Sequence, residues 1–177
     1  MDSVLQGERI YLRPLQESDA EDFSVWYGDG QVTRFLGTKP LARGKAKALC
    51  NRLLNDPNGI YFGIIEKHEE RIIGYAFLGH ILKSHQVARE LGIVIGDKSL
   101  WGRGYGGEAV RLILEYGFSC LKLHRIQLTV LDFNERALRL YRKMGFAEEG
   151  IQREARLVNG KRHNVIMMGM LEREFGK

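Results

Sequence analysis

The sequence predicts an α/β (α+β) fold in which flanking helices pack on a mixed, mostly antiparallel central sheet. Three observations lead there. At 177 residues, with 44% hydrophobic and 28% charged residues, the chain has the size and composition of one globular core. Short apolar runs with period-two alternation recur along it and are joined at two points by tight polar turns, the pattern of antiparallel hairpins. Between Leu91 and Leu131, in contrast, a strand, a glycine-rich loop, a helix and a second strand follow one another. That order is a right-handed crossover and makes this one pair of strands parallel. No internal repeat, low-complexity tract or linker interrupts the chain, so residues 1–177 are expected to form a single domain.

The elements follow in order. Arg9 to Pro14 alternates Ile10 and Leu12 against Arg9, Tyr11 and Arg13, a half-buried strand stopped by proline. Ser18 or Asp19 caps a helix running through Tyr27, whose first turn carries Asp19, Glu21 and Asp22. A second helix, about Gly44 to Leu54, places Ala46, Leu49, Cys50 and Leu53 on one face and ends before Asp56-Pro57-Asn58-Gly59. Tyr61 to Glu66 and Arg71 to Ile81 read as a hairpin over the turn Lys67 to Glu70, and Ala88 to Ile95 as the strand entering the glycine loop. The helix from Gly104 to Leu121 gathers Ala109, Leu112, Ile113, Tyr116 and Cys120 on one face, and Arg125 to Leu131 is a strand again. After a helix from Asn134 to Met144, Ala155 to Val158 and Lys161 to Leu171 flank Asn159-Gly160, a strong type I′ hairpin signal.

The stretch LGIVIGDKSLWGRGYGGEA, Leu91 to Ala109, is the centre of the chain. Gly102, Gly104, Gly106 and Gly107 let the backbone turn tightly and wrap successive N–H groups around an oxyanion. The helix that follows adds unsatisfied donors and the positive end of its dipole, which suits a pyrophosphate. Gly102-x-Gly104-x-x-Gly107 also fits a dinucleotide fingerprint, but Asp97 to Trp101 separate the strand from the first glycine and too few strands follow for a Rossmann half. A second informative segment is NERALRLYRKMGF, in which Asn134, Ala137, Leu138 and Tyr141 share one helical face. Seven residues of helix rise roughly 10.5 Å, enough for that face to follow an elongated ligand held by its phosphates on the glycine loop. Asn134 is equally an ordinary N-cap, and Tyr141 equally a packed aromatic.

Composition narrows the function classes. The net charge of +5 is spread among acidic residues without a run of one sign, so the chain is not expected to hold nucleic acid stably, and the balance favours a polyanionic cofactor or acidic partner. The apolar stretches are short and MDSVLQGERI carries no signal-peptide pattern, so no membrane attachment is expected and the cytoplasm is the default compartment. Cys50 and Cys120 are read as buried helix thiols. His68, His80, His85 and His124 lack ligand spacing, so no metal is expected.

WGRGYGGEA resembles the acetyl-CoA pyrophosphate loop of the GNAT superfamily of N-acetyltransferases, and NERALRLYRKMGF resembles that family's second signature. The ending FAEEGIQREARLVNGKRH is similar to the branch containing ribosomal-protein N-terminal acetyltransferases and spermidine acetyltransferase. The resemblance implies acetyl-CoA as cosubstrate and a parallel strand pair that splays to admit its arm. Arg103, Gly104, Gly106 and Gly107 would hold the pyrophosphate, and Ile93, Val94 and Ile95 would meet the pantetheine arm through their backbones. A strand N–H would polarise the thioester carbonyl, Asn134 would bind the cofactor arm, and Tyr141 would stand near its sulfur. Trp101 departs from the Gln or Arg that often opens the family's glycine motif.

Acetyl transfer needs a neutral amine and a proton for the departing thiolate. Tyr141, with a reference pKa of about 10, is protonated at neutral pH and serves as the general acid. A neutral amine then attacks directly in a ternary complex, its oxyanion held by backbone donation. Glu90, at the mouth of the cofactor strand, either takes the amine proton, directly or through water, or is a solvated or salt-bridged carboxylate. A two-residue Asn159-Gly160 loop sets Arg156 opposite His163 and Glu154 opposite Val165, so that Glu154, Arg156 and His163 share a face that lines the acceptor cleft or meets solvent. In the spermidine-acetyltransferase branch a Tyr and an Asp follow this turn, whereas Arg162 and Asn164 stand here. That exchange disfavours a polyamine and leaves an amine-bearing protein, a ribosomal one among them, or a small-molecule amine as acceptor. The reading admits a homodimer. The rival from another class is a noncatalytic CoA-sensing or RNA-binding module.

Overall fold

The computed structural model describes residues 4–80 and 88–176. The chain begins with β1 (Leu5–Gln6) and β2 (Ile10–Pro14), followed by α1 (Ala20–Gly28), the short α2 (Gly30–Thr33) and α3 (Arg43–Leu54). β3 (Ile60–Glu66), β4 (Arg71–His80) and β5 (Ala88–Ile95) lead to α4 (Tyr105–Glu115) and β6 (Arg125–Leu131), and α5 (Glu135–Lys143), β7 (Ala147–Val158) and β8 (Lys161–Leu171) complete it. The strands form one eight-stranded sheet in the order β1-β2-β3-β4-β5-β6-β8-β7. Among the described residues only β5 and β6 pair in parallel, as the mixed, mostly antiparallel class requires. The strand limits at Arg71, Ala88, Arg125 and Leu131 agree with the sequence reading, while Ile81 and His85 lie outside the described residues.

Alternation along the strands divides the core in two. Ile10, Leu12, Ile64, Leu78, Leu91, Ile126, Leu128 and Met168 face one side and are covered by Ala109, Ile113 and Leu114 of α4 and by Leu138 and Tyr141 of α5. The opposite side of β4 and β5 packs Tyr75 and Val94 against Phe23, Trp26 and Tyr27 of α1 and Ala46 and Cys50 of α3. Complete burial of Phe23 and Cys50 anchors this second layer.

Several expectations need correcting. The helix from Gly104 does not run unchanged to Leu121, because its α-helical part ends at Glu115 and Tyr116–Cys120 form a π-helical turn. The wider turn rotates Cys120 off the apolar face, so this thiol is exposed whereas Cys50 is buried as expected. β7 begins at Ala147 rather than Ala155. It is a sheet edge whose residues are almost all exposed, so it carries no alternation to betray it. The Asn159-Gly160 turn does set Arg156 opposite His163, with φ of 50° and 78° at its two central residues. A bulge between Gln152 and Arg156 then shifts the register, so Gln152 and not Glu154 lies opposite Val165. Glu154 sits in the bulge with φ of 51°, and its carboxylate pairs with Arg162 at 3.3 Å instead of joining Arg156 and His163. β1, α2 and the 3-10 turn Arg34–Leu36 have no counterpart in the sequence reading.

Candidate active site

Among the described residues the parallel pairing of β5 and β6 runs from Ala88 to Glu90 against Arg125 to Gln127. Beyond Glu90 the two strands part, and the gap opens a cleft of about 1230 Å³. Every second residue of an antiparallel strand turns its N–H and C=O away from its partner. On β5 past Glu90 those outward groups face no neighbouring strand, so the stretch Ile93, Val94 and Ile95, all on the cleft wall, offers the backbone groups of alternate residues to an extended ligand, apart from the Ile95 carbonyl, which Trp101 takes.

At the far end of this strand lies the glycine loop. Gly104 has φ of 89° and is the N-cap of α4, with no side chain capping the helix. The first donors of α4 are thus left to an anion. Gly104, Gly106 and Gly107 line the cleft; Arg103 is exposed and does not. The arginine side chain that does line the cleft here, Arg9 just before β2, was not foreseen from the sequence. Its Nη1 donates to the Arg103 carbonyl at 2.8 Å and its guanidinium lies 4.7 Å over the Tyr105 ring. Glu108 fixes Arg9 in turn, accepting the Arg9 backbone N–H at 2.8 Å and its Nε at 3.2 Å. Burial raises the Glu108 pKa, but the backbone N–H groups of Arg9, Ile10 and Glu8 outweigh it and hold the carboxyl below its ordinary value. Arg9→Ala is therefore expected to raise KM for acetyl-CoA about tenfold, the scale of one lost charge-assisted hydrogen bond, with kcat little changed in initial-rate assays. Arg9 reaches the loop and α4 from 94 and 99 positions away in the sequence, and no local motif announces such a contact.

Trp101 also acquires a role. Its Nε1 donates to the Ile95 carbonyl at 2.7 Å, and Arg136 stacks 4.2 Å over its ring, with Phe35 at its edge. The indole thus closes the open end of the splayed strands.

On α5, Asn134 Oδ1 accepts the Ala137 N–H at 3.3 Å, so the residue caps its helix while also lining the cleft. Tyr141 lies on the same wall, 7% exposed, its ring edge-on to Phe146. Among the described residues nothing hydrogen-bonds its hydroxyl, and burial pushes the phenol pKa well up, so it stays protonated. Glu90 stands at the fork itself, opposite Gln127, where Thr129 Oγ1 donates to its carboxylate at 3.4 Å. By alternation Glu90 shares its face with Val94, under α1 and α3, and that face continues over Thr129 and Leu131 to Val165 and Gln152. Arg156 lines the same cleft. Its neighbour His163 turns to Asp132, 3.1 Å away, which also accepts the Asn164 N–H at 2.9 Å. Burial opposes charge on Asp132, but Asn164 and His163 overcome it and hold the carboxyl low.

Among the described residues no group of three or more His, Cys, Asp or Glu could hold a metal ion, and no helix is long and apolar enough to cross a membrane. A strand pair that forks around a cleft, with an uncapped glycine-rich helix start at one end, offers an extended anionic ligand an open strand edge for its arm and backbone donors for its phosphates.

Comparison with known proteins identifies the class. Residues 9–147 match the model of the acetyltransferase (GNAT) domain. The chain belongs to this family and is an acetyl-CoA-dependent N-acetyltransferase. It is 32% identical to a spermidine N(1)-acetyltransferase of Vibrio cholerae over 96% of each chain. It is 26% identical to the [ribosomal protein uS5]-alanine N-acetyltransferase of Escherichia coli, over 89% of this chain and 84% of that one. A crystal structure of spermidine N-acetyltransferase from Vibrio cholerae in complex with CoA and spermine superposes with a TM-score of 0.84 at 26% identity, covering 94% of this chain and 97% of that one.

Proposed function

We propose that the chain, acting as one catalytic domain, moves acetyl from acetyl-CoA directly to a primary amine within a ternary complex. The observation that carries this reading is Tyr141: a protonated phenol without a hydrogen-bond partner among the described residues, on the wall of the same cleft as the glycine loop and the open edge of β5. The pyrophosphate is held by the backbone of Gly104, Gly106 and Gly107, with Arg9 bracing the loop through the Arg103 carbonyl. The pantetheine arm follows Ile93, Val94 and Ile95, and Asn134 meets it from α5. The amine nitrogen adds its lone pair to the thioester carbon, and a β5 N–H stabilises the oxyanion. Collapse breaks the C–S bond, and Tyr141 gives its proton to the thiolate. The proton lost by nitrogen leaves by way of Glu90, and the phenolate regains one from solvent.

The lining favours a monoamine. Three carboxylates line the cleft among the described residues, Glu8, Glu90 and Glu108. Glu108 is committed to Arg9 and the start of β2, and Glu8 lies beside them, so Glu90 alone serves the acceptor side. One carboxylate, with Arg156 facing the same cleft, is a poor match for a ligand of several ammonium groups.

The reading is tested by following free thiol with acetyl-CoA and a panel of small amines, polyamines and N-terminal peptides. Thiol release stimulated by a monoamine or peptide, and little by polyamines, is expected. No stimulation by any amine overturns it.

A further inference from the structure

The acceptor side of the cleft has two charged ends. At the fork, Glu90 is the carboxylate that can meet an ammonium. At the mouth stands Arg156, and the β7 bulge decides its state. By sending the Glu154 carboxylate to Arg162, the bulge removes the acid that regular pairing would have brought beside it. Asp132, the next acid on this face, is taken by His163 and the Asn164 N–H. No hydrogen bond or ion pair ties the Arg156 guanidinium to any described residue. The side chain nevertheless lies against the cleft wall, since its Cδ comes to 4.0 Å from where a Cβ on Gly37 would stand, a position that Leu131 approaches to 3.6 Å.

Sheet register sets the separation of the two ends. Leu131 is four residues beyond Gln127, the partner of Glu90, which is about 13 Å of strand at ~3.3 Å per residue. Allowing for the side chains, roughly 10–15 Å separates the two charges. That is too far for the amine and carboxylate of one amino acid. It matches the run from the first nitrogen of an extended peptide to a side chain at about its third to fifth residue, at ~3.3–3.6 Å per residue.

We propose that the acceptor is the N-terminus of a polypeptide with an acidic side chain at about its third to fifth residue, the α-amine delivered to Glu90 and the acid received by Arg156. This rests on the amine-acetylation reading above and assigns its substrate class. Arg156 is then a specificity-determining residue that reads charge, with no part in the bond changes.

The test uses the full chain and peptides identical but for Glu, Gln or Lys at the third, fourth or fifth residue, with kcat/KM read by thiol release. The wild type is expected to favour Glu over Gln by about fivefold at the best position, the upper range for one partly exposed ion pair, and to disfavour Lys. The preference should shrink as salt is raised, because the pair sits at an open mouth. Arg156→Gln should abolish it and Arg156→Glu should turn it toward Lys, with CoA affinity by calorimetry showing that both variants are folded. Equal use of the three peptides by the wild type, or a preference that survives Arg156→Gln, overturns the proposal. Turnover of small amines without turnover of any peptide overturns it while leaving amine acetylation standing. Absence of turnover with every amine removes both.

Discussion

Tyr141→Phe is expected to lower kcat by about 10²–10⁴-fold, the usual contribution of a general acid, while fold and acetyl-CoA affinity persist. The substitution removes one oxygen. The ring keeps its edge contact with Phe146 at 5.7 Å and its place in the core between sheet and α5. No hydrogen bond from a described residue is lost with the hydroxyl, so the melting temperature should move little. The two roles of a buried tyrosine are therefore separable here: a packing residue would lose stability and keep its turnover per folded molecule. A kcat within about threefold of wild type, well under a general acid's contribution and with product release shown not to be limiting, would remove Tyr141 from the proton path.

Gly106→Val should leave the chain folded and weaken CoA binding by about tenfold or more, as calorimetry would measure, through loss of at least one charge-assisted contact to phosphate. A Cβ at Gly106 meets Ile95, Leu140 and Ile93 only at 3.8 to 4.0 Å, ordinary contact distances, so the protein itself has room for it. What the side chain obstructs is a ligand approaching the backbone. Gly104→Val is the informative contrast. With φ of 89° at this position and Arg9 Nη2 3.0 Å from the new Cβ, it should cost stability as well as affinity. Unchanged affinity in folded Gly106→Val would take the loop out of the cofactor site.

What the sequence disclosed about this molecule follows from how local each signal was. The run from β5 through the glycine loop to β6 was legible because a strand, a helix cap and a right-handed crossover are short-range consequences of residue type. Asn159-Gly160 likewise announced its turn and the pairing of Arg156 with His163. The bulge a few residues away did not show, since a polar, exposed edge strand has no alternation from which a slipped register could be noticed. That slip matters to the site, because it sends Glu154 away and leaves Arg156 in the cleft. Arg9 escaped for a different reason. Nothing in RIYLRP marks one arginine as the brace of a loop almost a hundred residues later; only tertiary packing joins Arg9 to Glu108 and Arg103. The exposed Cys120 records a helix that changes pitch, which a 3.6-residue pattern cannot anticipate.

Direct transfer requires that acetyl pass to the amine in one step, with both substrates held in the cleft. Initial rates of thiol release, measured while acetyl-CoA and an active acceptor are varied together, decide this. Intersecting double-reciprocal lines, with no burst of thiol when acetyl-CoA is mixed with enzyme alone, are the predicted result. Parallel lines, or a stoichiometric burst without acceptor, would reveal an acetyl-enzyme intermediate and contradict direct attack.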